Sequence, residues 1–152
     1  MRSLAEPNAA RLLVDRLRRV TPQSVRRWGR MSAQEMVCHL ADAYRHAMGE
    51  IAGIPADTVF TRIVIKNFAL WTPFPWPPGY PTRPELDPQR EGRRPADFVR
   101  DRDQVESELY RFIDAVHRRT IARHPIFGAM GRREWLRWGW LHADHHLRQF
   151  SS

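Results

Sequence analysis

Apolar residues recur at helical spacing in four stretches of the chain. Leu12, Leu13, Val14 and Leu17 form a stripe with Arg11, Arg16, Arg18 and Arg19 on the outer face, which predicts a helix over residues 8–20 that Pro22 closes. Ser32-Ala33-Gln34-Glu35 is a capping box, and the pattern behind it predicts a second helix over 33–51. Its core stripe is Ala33, Leu40, Tyr44, Ala47 and Ile51. His39 falls at the border of that stripe, about 100° from its middle, beside Glu35, Asp42 and His46. Phe98, Val105, Leu109, Phe112, Ile113 and Val116 mark a third long helix over 96–121, and a fourth runs over 132–150. On the wheel of the fourth, Trp135, Trp138, Gly139, His142, His146 and Gln149 lie within about 60° of His142 and share one face.

Between the second and third helices the pattern changes twice. Residues 58–71 are an apolar stretch whose β-branched run suits helix or strand; with no second segment of period-two alternation to pair with, helix is the expectation. Residues 72–95 then hold eight of the twelve prolines, a density that excludes a regular helix or a central strand. Phe74, Trp76 and Tyr80 mark this segment as an ordered strap that packs on the helices and lines a pocket. The chain therefore reads as one all-α domain over residues 1–152, an antiparallel four-helix bundle with a long Pro-rich loop before the last two helices. In such bundles, sites are built by side chains on facing helices.

Composition narrows the function. Hydrophobic residues make up 42% of the chain, enough for a core. The single Cys38 excludes an internal disulfide, and there is no secretory apolar region and no run of about 18 apolar residues. A cytoplasmic protein without a membrane partner is the expectation; Glu6 and Asp15 interrupt the Arg-rich N-terminus, which reads as a packed helix rather than a targeting peptide. Net charge is +8, almost all of it arginine, but the arginines are spread in ones and twos among acidic residues, so no specific nucleic-acid partner is expected. Exposed strap aromatics, or Trp140 opposite the histidine face, are candidate contacts of a homodimer.

The chemical signal lies in the last turns, His142-Ala143-Asp144-His145-His146-Leu147-Arg148-Gln149-Phe150. His142 and His146 are four apart, about 40° from each other on one helix face, and can share one metal ion; His145 leans off that face. Asp144 and Gln149 supply polar partners, and Trp135 and Trp138 a dry wall. A third ligand must come from elsewhere, with His39 or His46 on the second helix available. Glu35, Asp42 and His46, one to two turns from His39, are candidates for proton transfer. His124 precedes a proline and belongs to a loop. Cys38 reads as core.

With these residues in place, the sequence resembles the DinB-like (YfiT-like) superfamily of metal-binding four-helix bundles, in a branch of unknown function. The resemblance rests on Met36-Val37-Cys38-His39-Leu40-Ala41-Asp42-Ala43 and the His142/His146 segment, with Pro81-Thr82-Arg83-Pro84-Glu85-Leu86, His124-Pro125-Ile126-Phe127-Gly128 and Glu134-Trp135. It covers Trp28 to Phe150. It implies that His39, His142 and His146 hold one divalent ion, suited to zinc, nickel or iron, with an open position for water or substrate. Characterised relatives in that superfamily include enzymes that use low-molecular-weight thiol cofactors, and the leading expectation is a metal-dependent enzyme, a hydrolase or a thiol-cofactor-dependent transferase, acting on a small molecule such as a low-molecular-weight thiol. The alternative is a non-catalytic metal- or ligand-binding bundle, a sensor or stress-associated partner protein. One departure stands out: Gly131 occupies the position three before Glu134 where related sequences carry Ser or Thr, so the last helix is expected to fray at its start.

Overall fold

The computed structural model describes residues 1–150, and among these the chain is all-helical, with no strand beyond a single bridge between His124 and Gly128. Five α-helices follow in order: α1 (Ala9–Leu17), α2 (Ala33–Ala47), α3 (Lys66–Trp71), α4 (Phe98–Arg118) and α5 (Arg132–Gln149). A π-helical turn, Thr61–Ile65, leads into α3, and a 3-10 turn, Pro84–Leu86, interrupts the strap. No described helix is long and apolar enough to cross a membrane.

α2 is the central element. It packs against α4, α5 and the strap's 3-10 turn, and only Gln34, Glu35 and Arg45 along it are less than buried. Its start is fixed as the sequence foretells: Ser32 accepts from the Glu35 amide at 3.2 Å, and the Glu35 carboxylate accepts from the Ser32 amide at 2.7 Å. Its end corrects the expectation of Ile51. Gly49 adopts φ 81°, its amide bonds the His46 carbonyl and the Glu50 amide bonds the Arg45 carbonyl, a Schellman closure that stops α2 at Ala47. Ile51 therefore lies outside the helix and outside the core.

The other helices are also shorter than their periodic patterns. α1 ends at Leu17, although Val20 stays buried in the core, and α4 ends where Arg119 turns left-handed at φ 61°. α5 begins at Arg132 despite the missing hydroxyl, because the Glu134 carboxylate still accepts from the Gly131 amide at 2.7 Å. Residues 59–71 are helical, but with their apolar side turned to solvent. Of the strap aromatics expected to pack, only Trp76 does; Phe74 and Tyr80 are exposed. Trp140, by contrast, is buried, with the Arg2 guanidinium 5.7 Å over its ring, and is closed to any partner.

Candidate metal centre

α2 delivers His39 from the middle of its length, and the histidine is 3% exposed rather than a border residue. A wheel drawn from one helix counts one face; α2 is covered from three sides, so its border becomes interior. The His39 Nδ1–H donates to the Leu86 carbonyl at 2.8 Å, which leaves a bare lone pair on Nε2. The acceptor is itself anchored: the Leu86 amide bonds the Arg83 carbonyl, and Asp87 takes an ion pair from Arg30 at 2.9 Å and an amide bond from Gln89 at 3.0 Å.

α5 delivers the other two from one face. The His146 Nδ1–H donates to Gln149 Oε1 at 3.0 Å, while Gln149 Nε2 donates to the Trp28 carbonyl at 2.7 Å and so fixes which end of the amide faces the histidine. Nε2 of His146 is then bare as well. His142 Nε2 stands 3.1 Å from His39 Nε2, and its Nδ1 is buried without a hydrogen-bond partner. Ring centroids are 5.1 Å apart for His39–His142, 4.6 Å for His39–His146 and 5.0 Å for His142–His146. One nitrogen of each of the three lies within 4.8 Å of the others.

This donor set fits a cation. Two imidazoles are locked with their protons pointing outward, so their unshared pairs converge with the third ring on one buried point, a gap that either the His142 Nε2–H donating to His39 or a shared cation can fill. Burial lowers the basicity of all three, and for His142 and His146, where the neighbouring histidines add to it, the value falls well below that of an ordinary histidine. They are neutral at pH 7, the form that ligates. Trp138 and Trp76 stand beside the His142 ring at 5.0 and 6.2 Å.

The remaining sequence candidates fall elsewhere. His145 leans off the face, its Nδ1–H donating to the Trp76 carbonyl at 3.2 Å and its ring 5.7 Å from Trp28. His46 is not part of the cluster; it lies under Gly53, where a Cβ would come within 2.0 Å of its Nε2. Glu35 is spent on the α2 cap and on Gln89, and Asp42 on the Arg93 amide with ion pairs to Arg45 and Arg93. Cys38 is core, its thiol pushed up to about 12 by burial. His124 is buried in its loop, stacked 4.4 Å from Phe127, with Nδ1 accepting from the Ile126 and Phe127 amides at 3.2 and 3.0 Å. Sequence reasoning missed the carbonyls of Leu86, Trp76 and Trp28, since a backbone acceptor leaves no mark on residue type.

A family model described as "Protein of unknown function (DUF1569)" matches residues 3–152. No curated protein and no solved structure matches the chain.

Proposed function

The chain belongs to the DUF1569 family, and on that premise we propose that it is a DinB-like four-helix bundle whose His39, His142 and His146 hold one divalent ion, zinc, nickel or iron. The reading is carried by the outward locking of the His39 and His146 protons on Leu86 and Gln149, which leaves their Nε2 atoms to a shared ligand. The reaction class that suits such a centre is metal-dependent hydrolysis or thiol transfer on a small molecule, a low-molecular-weight thiol being one candidate. A divalent ion held by three imidazoles lowers the pKa of bound water or stabilises a thiolate. Trp76 and Trp138 limit water beside His142, and the strap holds His39 in one tautomer.

A second reading, a non-catalytic metal- or ligand-binding bundle, draws on one observation: Glu35 and Asp42 are both committed to structural bonds, which leaves neither free as a general base. Elemental analysis of untagged protein tests the centre itself. About one equivalent of divalent metal per chain is expected, and His142→Ala should lose at least a hundredfold in affinity, more than the 10–100-fold typical of outer partners. A folded wild-type protein that takes up no zinc, nickel or iron would sink the first reading and the metal-binding form of the second. Cobalt-loaded protein then separates them: a visible spectrum that changes on adding a small thiol indicates an open position, and an unchanged spectrum favours the non-catalytic bundle.

A further inference from the structure

Residues 59–71 invert the usual arrangement of a surface helix. Val59, Phe60, Ile63, Val64 and Phe68 keep 48–64% of their surface exposed, while the segment's two cations are paired with carboxylates, Arg62 with Asp57 at 3.4 Å and Lys66 with Glu134 at 2.8 Å. Among the helices, α3 packs only on α5. Phe60, Val64, Phe68 and Trp71 recur every three to four residues, with Val59 and Ile63 beside them, so the exposed residues cover one side of a segment that is π-helical over Thr61–Ile65 and α-helical after it. With aromatic side chains carrying about 150–250 Å² each, the exposed part of this stripe amounts to roughly 600 Å², the upper end of what a monomer leaves bare and most of the ~800 Å² each partner of a stable complex buries.

We propose that this stripe is the interface between two copies of the chain, paired antiparallel about a two-fold axis at Val64. Phe60 and Phe68 lie four positions to either side of Val64 in sequence, the first across the π-helical turn and the second along α3, so a two-fold axis near Val64 sets an aromatic residue of each copy toward each end of the other's stripe. Charge favours a second copy over a lipid surface. Each chain carries +8, yet residues 59–71 offer no unpaired cation of their own, because Arg62, though part-exposed, pairs with Asp57 and Lys66 pairs with Glu134. A lipid-bound helix would instead flank its apolar face with free lysine and arginine. Arg133 lies 5.9 Å over the Trp71 ring at the end of the stripe, where an interface has its polar rim. The inner side of the same helix holds the strap, since Trp76 Nε1–H donates to the Ala69 carbonyl at 2.8 Å. A second copy would therefore brace the segment that keeps Trp76 beside His142.

Light scattering at tens of micromolar should give twice the 17.9 kDa chain mass for the wild type and the single mass for Phe60→Glu/Phe68→Glu, with the helical signal intact. Mild oxidation of Val64→Cys should link two chains, whereas Val99→Cys, exposed on α4, should not; Cys38 is buried and does not interfere. The linkage comparison decides the matter if the double variant fails to fold. A monomeric wild type, a dimer that survives both glutamates, or Val64→Cys linking no faster than Val99→Cys would overturn the proposal. Monomeric wild type floating with phosphatidylcholine/phosphatidylserine vesicles would assign the stripe to lipid instead.

Discussion

His39 on α2 and His142 on α5 face each other at 3.1 Å, yet the two helices secure their histidines by different means. α2 is closed at both ends, by Ser32 and Glu35 at its start and by the Gly49 turn at its finish, and it borrows an acceptor for His39 from a distant strap. α5 starts from a glycine, supports His146 from within its own last turn through Gln149, and leaves His142 Nδ1 with no hydrogen bond at all. Precision at this centre is thus supplied from outside on one helix and from inside on the other. The α5 side, with fewer polar restraints, should be the more sensitive to single changes.

The largest of these effects should follow from removing the internal support. Gln149→Leu leaves the His146 Nδ1–H and the Trp28 carbonyl unpaired in a buried place, and metal affinity by chelator competition should fall about 10–100-fold. Gln149→Glu keeps an acceptor for His146 and should recover most of that loss. Equal losses in both variants would mean that Gln149 acts by packing alone.

A second test uses the histidine that backs onto α5. His124 lies 5.6 Å from both Trp135 and Trp138, and burial lowers its pKa to about 3. Between that value and 6.5 the unfolded chain binds a proton that the folded chain refuses, so stability falls as pH drops below about 6.5. At pH 5 the cost from His124 alone is about 2 kcal/mol relative to neutral pH. His124→Asn retains an acceptor for the Ile126 and Phe127 amides but does not titrate. The drop in Tm of the metal-free protein between pH 7 and pH 5 should be smaller in this variant, and an undiminished drop would place the acid sensitivity elsewhere.

The smallest effect sharpens the contrast at the helix starts. Gly131 has φ −78° and ψ 170°, nearly the values of Ser32 at −71° and 169°, and a Cβ there would meet only Glu134 Oε2 at 3.7 Å. Gly131→Ser should complete the box and stabilise the protein by a few tenths of a kcal/mol in urea titration, while Ser32→Ala should cost about 1 kcal/mol. A neutral Gly131→Ser would show that the Glu134 carboxylate, already paired with Lys66, needs no serine opposite it.

What could be read from residue order follows from these comparisons. The α2 cap, the shared face of His142 and His146, and the irregular strap are local patterns, and each is written in neighbouring residues. The halt at Ala47 was also legible in principle, because Gly49 is the residue a left-handed closure needs, but the apolar Ile51 drew the helix too far. Orientation was not legible. Periodicity states which residues share a side, not what that side meets, so His39 reads as a border residue though it is interior, and residues 59–71 turn their apolar stripe outward. Phe74 and Tyr80 fail for the same reason: an aromatic residue in a loop announces affinity for a surface without naming one.

The bond from His39 to Leu86 carries a consequence for how the gene can vary. The strap contributes a carbonyl oxygen, which every residue type possesses, so replacing Leu86 by another residue leaves the acceptor in place. Insertion or deletion of one residue between Arg83 and Asp87 would instead rotate that oxygen away and displace the Asp87 anchor to Arg30. Surface loops ordinarily tolerate length changes better than helices do. Here the opposite rule holds for a short span: the acceptor itself depends on spacing and not on residue type, and a linker-scanning experiment would find the strap permissive at its exposed tip near Tyr80 and intolerant only a few residues later.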